Sequence, residues 1–523
     1  MSESSLAAFD ERMIDAVFAE VDQSRLPGAV VGIAVDGKPV YRKGFGLASM
    51  ELPVVLSPAA RMPIGSATKH FTCLAYMLQC EEGRANVDDP IGKYLPELNP
   101  VIKSVTMRQL MGHLGGLRDI FDICTTFSGT AREVRAADAI ALYRDMNDMN
   151  AAPGVTWSYN NGGYMLLSAA IERITDQPFE EVLRTRIFEP VGMFDTLLRH
   201  FDTNVLHGAA TLHKTSEKGG FEKGHRYIEG GGQGGIVSTV NDMLRWMAHM
   251  DAPVVGRRET WKLMRTPQTV ANGFSTGYGL GLMTGSYRGA DTLFHTGSVV
   301  GCNSQMLKVP CAGLDIVVMV NRDDILAPVL VNKVLDICLT DLEPVEDETE
   351  RAPATGRFRS PKSGRVIQLV AKGAQQIVSI DGTDLLFAPD AEGVLTFMPV
   401  GGPTRMSVTL VGVRERPTGV ILSEFGNADE FVPAAPAGNA DALSIAGQYC
   451  SAGTGSTVTV EADGRVHATG RFGSAEYRVE PLIESVWRMR ATAAPPIGGI
   501  LSFDEHGFRF SNGNTRALAF RRV

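Results

Sequence analysis

A short acidic, proline-containing stretch near the middle of the chain separates two kinds of sequence. DLEPVEDETERAPATG, residues 341–356, has the composition of a linker. Before it, apolar residues recur at both helical and strand spacing, whereas only short strands bounded by turn residues follow it. A second break, FVPAAPAGNADA at 431–442, divides the later part again. Because 523 residues are too many for one ordinary core, we predict three domains, at 1–341, 352–431 and 442–523.

The first part predicts an α+β domain built on one antiparallel sheet. Residues 28–46, GAVVGIAVDGKPVYRKGFG, alternate apolar and polar positions around Asp36-Gly37, a strong signal for a two-residue hairpin. Segments from about 60 to 265 are mainly helical, and strands return from about 276 to 322. A last helix, LAPVLVNKVLDICL, follows them. We therefore expect both ends of this domain to supply strands to one sheet, with the helical middle forming a subdomain beside it.

The beginning of the chain predicts a packed helix rather than a secretory signal. Phe9, Met13, Val17 and Val21 recur at helical spacing, and no basic region precedes a continuous apolar segment. The seven cysteines are scattered and form no CxxC pair. We expect reduced thiols and a cytoplasmic protein.

The two later parts begin alike and predict two small antiparallel β-domains. TGRFRSPKSGRVIQL, residues 355–369, resembles AGQYCSAGTGSTVTV, residues 446–460, in its strand–turn–strand pattern. The short strands favour barrels or sandwiches, and the shared beginning is consistent with an old duplication.

Composition excludes several classes of function. A hydrophobic content of 44% with 21% charged residues is typical of a soluble enzyme. The net charge of -9 argues against nucleic acid and against an acidic membrane surface as partners, and no apolar run is long enough to span a membrane. The ten histidines form no H-x-x-x-H pair, so we expect no metal and no cofactor. A small peptide, amide or ester is the expected ligand, and the sequence is compatible with a homodimer.

Ser66 and Lys69 form the first chemical motif. They lie three residues apart in PIGSATKHFTCLA, where an apolar helical run begins, and therefore share one helix face. A serine needs a neighbouring base to be nucleophilic at neutral pH, and a lysine desolvated among apolar residues can be that base. Taken alone, the S-x-x-K spacing also arises by chance, with a solvated charge beside a core helix.

Tyr159 and Asn161 form the second motif, in WSYNNGGY. A tyrosine beside a serine–lysine pair can relay a proton to the leaving group, and the amide can hold Lys69 or the substrate carbonyl. The alternative is an ordinary turn, since Asn and Gly cluster there.

His295, Gly297 and Ser298 form the third motif, in LFHTGSVVG on a predicted strand. The backbone of this strand can pair with an extended substrate, and the N–H of Ser298 can join that of Ser66 in an oxyanion hole. A single strand histidine also fits a purely structural role.

The order and spacing of the three motifs resemble the penicillin-recognising serine hydrolases, which include DD-peptidases, class C β-lactamases, esterases and D-aminopeptidases. RMPIGSATKHFTCLAYMLQCEEG is similar to the nucleophile helix of that family, MRQLMGHLGGLRD to its "LLxHTSGL" segment, and GGIVSTVNDMLRWM to a helix capped by Ser238 or Thr239. The resemblance covers about residues 15–340 and implies a β-lactamase/DD-peptidase-like domain. The site residues that it implies are Ser66, Lys69, Tyr159 and His295 for catalysis, and Asn161, Gly297, Ser298 and Gln233 for substrate binding.

Within this family the chain most resembles the three-domain D-stereospecific aminopeptidases, whose catalytic domain precedes two β-barrels. That resemblance implies an acyl-enzyme on Ser66 and release of N-terminal D-amino acids from short peptides, amides or esters. It also implies a loop from the third domain that controls which substrates fit, here ATAAPPIGG at Ala491–Gly499. The alternatives are an esterase, a DD-peptidase or β-lactamase-like hydrolase without need of a free amine, and a non-catalytic penicillin-binding-like protein.

Two departures from the aminopeptidase pattern concern the substrate amine. A partly buried ammonium group needs a carboxylate partner. Gln233 stands where the pattern has an acid, and ATAAPPIGG contains none. Asp119 and Glu229 are the sequence's other candidates for that partner.

Overall fold

The computed structural model describes most of the chain and gives the first domain its helices and strands. The described residues are 6–7, 10–130, 133–225, 228–344, 351–390, 392–398, 406–438, 441–492 and 498–523. The helices are α1 (Glu11–Phe18), α2 (Thr68–Glu81), α3 (Pro100–Lys103), α4 (Met107–Met111), α5 (Ile120–Ser128), α6 (Ala136–Asp145), α7 (Asn161–Thr175), α8 (Phe179–Leu183), α9 (Glu189–Val191), α10 (Val240–Asp251), α11 (Arg258–Arg265) and α12 (Ala327–Cys338). The strands are β1 (Ala29–Val35), β2 (Lys38–Phe45), β3 (Leu47–Ser49), β4 (Val54–Val55), β5 (Met62–Pro63), β6 (Leu197–Leu198), β7 (His213–Thr215), β8 (Phe221–Lys223), β9 (Ile236–Ser238), β10 (Met283–Tyr287), β11 (Ala290–Val299), β12 (Cys302–Val309) and β13 (Leu314–Val320). Within these ranges no helix combines the length and the apolar character that crossing a membrane requires.

One six-stranded antiparallel sheet joins the two ends of the first domain, as the sequence predicts. Its order is β10-β11-β12-β13-β1-β2, and β1 pairs with β13 from Ala29 opposite Val320 onward. The β1–β2 hairpin turns at Asp36 and Gly37, whose φ angles are 49° and 72°. Both values are positive, as a type I′ turn requires, so the predicted hairpin is confirmed.

Helices cover the sheet on both faces. Val31 and Ile33 of β1 belong to the apolar cluster that contains α1 and α12, whereas Val30 and Ala34 belong to the cluster that contains α2 and α10. Alternate side chains of a strand point to opposite faces. Because both faces are buried, β1 is a nearly continuous apolar run, AVVGIAV. The predicted last helix is confirmed as α12.

The first helix is confirmed, and of the predicted apolar positions Val21 is buried and Val17 is partly buried against the core. Ile14 and Phe18 are buried in α1, whereas Met13 is 52% exposed. Phe9 lies outside the described residues. The prediction used a strict spacing of four, which drifts around a helix of 3.6 residues per turn, so the face through Ile14, Phe18 and Val21 fits the sheet better.

Helix α2 passes through the interior of the domain. All of its residues from Thr68 to Gln79 are buried, including Lys69, which has 0% exposure. A 3₁₀ turn at Gly65–Ala67 leads into the helix and carries Ser66. A helix that is buried on every side has no solvated face for a lysine, so the amine of Lys69 must find its partners inside the protein.

Two closed antiparallel barrels follow the first domain. The strands of the second domain are β14 (Gly356–Arg359), β15 (Val366–Lys372), β16 (Gln375–Ile380), β17 (Thr383–Pro389), β18 (Leu395–Phe397), β19 (Met406–Val413), β20 (Arg416–Glu424) and β21 (Asn427–Pro433). Those of the third are β22 (Gly447–Ser451), β23 (Ser456–Val460), β24 (Arg465–Gly470), β25 (Gly473–Ile483), β26 (Val486–Ala491), β27 (Gly499–Asp504), β28 (Gly507–Ser511) and β29 (Leu518–Arg522). The two similar sequence stretches form the first hairpin of each barrel, β14–β15 and β22–β23.

The third domain packs directly against the first domain through α5. Phe127 of α5 lies against Phe510 and Phe520, with ring centroids 5.2 Å and 5.1 Å away. The hydroxyl of Tyr477 donates a hydrogen bond to the carbonyl of Thr126 at 2.5 Å. The core of the third barrel is therefore continuous with that of the catalytic domain, whereas the second barrel encloses an apolar cluster of its own.

Candidate active site

The turn before α2 brings Ser66 and Lys69 into contact. Nζ of Lys69 lies 3.1 Å from Oγ of Ser66. The same nitrogen donates to Oδ1 of Asn161 at 2.9 Å and to the carbonyl oxygen of Gln233 at 2.7 Å. A neutral amine has two donors and one lone pair. The two acceptors use both donors, which leaves the lone pair directed at the hydroxyl of Ser66.

The surroundings of Lys69 favour this neutral form. Burial lowers the pKa of Lys69 to about 7, while the negative charge of Asp119 opposes the shift. Nζ also lies 4.6 Å from the centre of the Tyr159 ring, a contact that favours the charged amine and therefore also opposes the shift. At neutral pH a large fraction of the amine is therefore unprotonated and can accept a proton from a serine hydroxyl.

Asn161 connects Lys69 to a buried carboxylate. Asn161 is the first residue of α7, and its backbone N–H donates to Oδ2 of Asp119 at 2.6 Å. Asp119 caps α5 and accepts a second bond from the backbone of Phe121 at 2.7 Å. Burial raises the pKa of Asp119, and these backbone donors oppose that shift. Asp119 thus positions the amide that holds Lys69, a role different from the substrate contact considered from the sequence.

Tyr159 lies beside the serine–lysine pair. Burial raises the pKa of Tyr159 above its ordinary value, and a hydrogen bond with Ser66 opposes this only in part, so the phenol keeps its proton. His113 packs against the ring at a centroid distance of 4.2 Å. Nδ1 of His113 accepts a hydrogen bond from the backbone N–H of Asn160 at 3.0 Å, and this bond fixes the segment that leads into α7. A protonated phenol in this position can pass a proton to a leaving group.

Strand β11 crosses unusually close to the nucleophile turn. A methyl group added at Gly297 would lie 1.8 Å from the carbonyl oxygen of Ile64, and one at Gly65 would lie 2.6 Å from the backbone nitrogen of Ser298. Gly65 also has a φ of 53°. Only glycine permits both approaches. They bring the N–H of Ser298 next to the turn that carries Ser66, which is the arrangement that an oxyanion hole needs.

Two of the predicted residues lie behind the reacting atoms. His295 is fully buried on β11; one ring nitrogen lies 3.0 Å from the hydroxyl of Tyr278, and the other lies 2.6 Å from the carbonyl of Thr296. Burial lowers the pKa of His295 to about 3, and Lys69 contributes to that shift, so the ring is neutral. The side-chain amide of Gln233 donates to the carbonyl of Glu229 at 2.6 Å. Their predicted catalytic and substrate-binding roles stay predictions.

A cavity of about 630 Å³ opens in front of Ser66 and is lined by all three domains. The catalytic domain contributes Ser66, Tyr159 and the β11 edge at Gly297 and Ser298. Apolar surface comes from Trp157 and from Phe425 of the second barrel, whose rings lie 5.4 Å apart. A mostly apolar, concave pocket beside a nucleophile is what a small-molecule substrate requires.

The third domain reaches this cavity through a loop that the sequence analysis did not single out. Residues 512–516, between β28 and β29, form it and are named here the 512–516 loop. Arg118 donates to the carbonyl of Arg516 at 2.8 Å, and Asn150 donates to that of Asn514 at 2.6 Å. The letters SNGNT predict a turn in this place, but nothing in them indicates a contact with a site some 400 residues earlier.

The loop that the sequence did single out, Ala491–Gly499, is described only at its ends. Residues 493–497 lie outside the described residues. The described flanks, 491–492 and 498–499, are not part of the cavity wall. Substrate control by this loop stays a prediction. Among the described residues, no three histidine, cysteine or acidic side chains are grouped closely enough to hold a metal ion.

Sequence comparisons relate the chain to known proteins. The profile of the β-lactamase family matches residues 13–336. A protein named D-aminopeptidase from Brucella anthropi is 26% identical over 409 residues, covering 76% of this chain and 77% of its own length. Another of that name from Cereibacter sphaeroides is 27% identical over 480 residues, which is 88% of each chain.

Two solved structures share the fold. The octameric penicillin-binding protein homologue from Pyrococcus abyssi has a TM-score of 0.59 at 22% identity and covers 81% of this chain and 100% of its own. A D-amino acid amidase from Ochrobactrum anthropi SV3 has a TM-score of 0.54 at 20% identity, covering 62% of this chain and 98% of its own. Because the family match spans more than half of its length, the chain belongs to the β-lactamase family and is a hydrolase with that fold.

Proposed function

We propose that this protein is a serine hydrolase that works through an acyl-enzyme on Ser66 and releases N-terminal D-amino acids from short peptides, amides or esters. The observation that carries the proposal is the Lys69 amine, 3.1 Å from Oγ of Ser66 and with a pKa lowered by burial to about 7. An amine with an ordinary lysine pKa would hold its proton and could not act as a base.

The first step is attack of Ser66 on the substrate carbonyl. Oγ forms a bond to the carbonyl carbon while its proton moves to the lone pair of Lys69. The carbonyl oxygen becomes negatively charged and accepts hydrogen bonds from the backbone N–H groups of Ser66 and Ser298. Asn161 and the carbonyl of Gln233 hold the lysine in place throughout the transfer.

The second step expels the leaving amine and then restores the enzyme. Tyr159 gives its proton to the leaving nitrogen as the C–N bond breaks, and Lys69 returns a proton to Tyr159. Water then attacks the acyl-enzyme, with its proton passing to Lys69 and then to Oγ as the ester bond breaks. The net reaction is hydrolysis: one proton leaves with the amine, water supplies its replacement, and Ser66, Lys69 and Tyr159 regain their starting protonation states.

The substrate class follows from two supports. Relatives named D-aminopeptidase align with most of the chain, and the cavity has the size of a small peptide or amide rather than that of a long polymer. The apolar wall at Trp157 and Phe425 suits a short side chain or an aromatic leaving group.

The test is turnover of a matched set of chromogenic substrates. We expect hydrolysis of D-alanine p-nitroanilide, much slower hydrolysis of the L-form and of the N-acetyl D-form, and loss of all turnover in Ser66→Ala. Turnover of p-nitrophenyl acetate, with no preference for a free amine among the anilides, would instead identify an esterase. Covalent labelling of Ser66 without turnover of any substrate would identify a binding protein.

A further inference from the structure

Two carboxylates line the cavity, and they differ in their partners. Glu424 is held by two guanidinium groups: Arg365 donates to it at 2.5 Å, and Nη2 of Arg516 lies 3.3 Å from it. Asp122 has no salt bridge among the residues that the structure describes; its hydrogen-bond partners are Asn512 and Thr515. Asp122 is therefore the wall carboxylate whose charge is not compensated by a cation.

Asp122 is built into the wall at the junction of two domains. It lies in the first turn of α5 and is only 4% exposed. Nδ2 of Asn512 donates to Oδ1 at 2.8 Å, and the hydroxyl of Thr515 donates to Oδ2. An ionised carboxylate has about four lone-pair positions. Two neutral donors occupy only part of that capacity and supply no positive charge.

The position of Asp122 relates it to the reacting groups. Asp119, one helical turn earlier, holds Asn161, which in turn holds Lys69. The backbone N–H of Asp122 donates to Oδ1 of Asp119 at 3.4 Å, so the two residues are in direct contact. Asp122 and Ser66 line the same cavity, so a small substrate that acylates Ser66 shares that cavity with the carboxylate of Asp122.

We infer that Asp122 binds the free α-ammonium group of the substrate and that the 512–516 loop positions it. This inference rests on the proposed function. A buried carboxylate without a cation is costly, and the substrate's ammonium group compensates the charge only while it is bound. The assignment also explains how a free amine is recognised although Gln233 and the sequence of Ala491–Gly499 supply no acid.

The direct test compares an amine substrate with an ester in Asp122→Asn, in the full chain. The measured quantity is the ratio of kcat/KM for D-alanine p-nitroanilide to that for p-nitrophenyl acetate. We expect this ratio to fall about 100-fold, mainly through KM, because a buried partner of the ammonium group has lost its charge. The matched control is Asp429→Asn in the second barrel, a carboxylate that also accepts from two neutral side chains, Ser360 and Ser363, but is not part of the cavity wall, and it should change the ratio less than about threefold.

A second pair of variants tests the positioning by the third domain and does not depend on Asp122→Asn folding. Thr515→Val removes one donor to the carboxylate and should raise KM for the amine substrate about tenfold. Thr515→Ser keeps the hydroxyl and should restore KM. A loss of stability alone would affect turnover of the amine and of the ester alike, whereas loss of positioning should raise KM for the amine substrate only.

The outcomes separate the two proposals. A wild-type protein that does not distinguish D-alanine p-nitroanilide from its N-acetyl form overturns the proposed function, and the inference with it. If the wild-type protein prefers the free amine and Asp122→Asn keeps that preference, the inference alone is overturned. The same holds if Thr515→Ser and Thr515→Val change KM for the amine substrate equally.

Discussion

The properties of single residues in this site come from where the chain buries them. Lys69 lies on a helix that is buried on all sides, and burial rather than a neighbouring cation lowers its pKa. Asp119 opposes the shift, so the amine ends with a pKa of about 7 rather than far below it. A general base works best when its pKa is near the working pH.

Removal of the amine should abolish most of the activity. We expect Lys69→Ala to lower kcat for p-nitrophenyl acetate by about 10³-fold or more, because nucleophile and base act as one unit. Ser66→Ala should lose the same reaction entirely. Steady-state kinetics with both variants provide the measurement. Full turnover in a folded Lys69→Ala protein would contradict the assignment of Lys69 as the base.

The pH dependence of the ester reaction should report the same amine. Below pH 7 Lys69 carries a proton and cannot accept another, so kcat/KM should fall about tenfold per pH unit there and level off above it. An ester without an amine is the right substrate, since α-amino groups titrate at about 7.7–8.0. In Asp119→Asn the negative charge that opposes the shift is gone, so the pKa of Lys69 falls further and the decline of kcat/KM should begin at lower pH. If kcat/KM declines at the same pH in Asp119→Asn as in the wild type, a group other than Lys69 titrates.

At the scale of elements, the site is a crossing between the turn before α2 and the edge of β11. The two backbones approach so closely at Gly65 and Gly297 that neither position has room for a side chain. This contact, rather than any side-chain bond to His295, holds the N–H of Ser298 near Ser66. The histidine stabilises the strand through Tyr278 and the carbonyl of Thr296.

A methyl group at this crossing should therefore be far more harmful than one elsewhere in the sheet. We expect Gly297→Ala to lower kcat about 100-fold, because a clash with the Ile64 carbonyl moves β11 away from the nucleophile. Gly285→Ala on β10 is the matched control, since its new methyl group meets side-chain atoms and no backbone, the ring of Phe294 at 3.2 Å and Oγ1 of Thr292 at 3.5 Å. Equal activity of the two variants in ester turnover would refute the importance of the crossing.

The sequence predicted the elements well where local patterns determine them. Helix α2 begins close to the predicted position, and Thr239 caps α10 as expected, accepting from the N–H of Asp242 at 3.2 Å. Ile14 and Phe18, which are buried in α1, were missed because a strict spacing of four drifts around a helix of 3.6 residues per turn. The contact of Asp122 with Asn512 could not be predicted, because it depends on how a barrel docks on α5.

At the scale of the whole molecule, the two barrels relate differently to the catalytic domain. The third barrel shares an apolar core with it through α5, and the second has a separate core. Both contribute to the cavity wall. The third domain is therefore a structural part of the catalytic unit, whereas the second barrel has its own core and joins the first domain's apolar cluster through the wall residue Phe425.

This difference predicts how two matched core substitutions should act. Phe127→Ala removes a ring packed on Phe510 and Phe520 and should destabilise the catalytic domain by about 3–5 kcal/mol. Phe387→Ala removes a ring of similar burial inside the second barrel, where it packs on Phe397 at 5.6 Å.

Unfolding in urea measures the difference. Phe127→Ala should shift the loss of ester turnover to a lower urea concentration. Phe387→Ala should instead produce an earlier, separate fluorescence or circular dichroism transition while Ser66 is still labelled by a fluorophosphonate. A single transition shifted equally by both substitutions would mean that the three domains unfold as one cooperative unit.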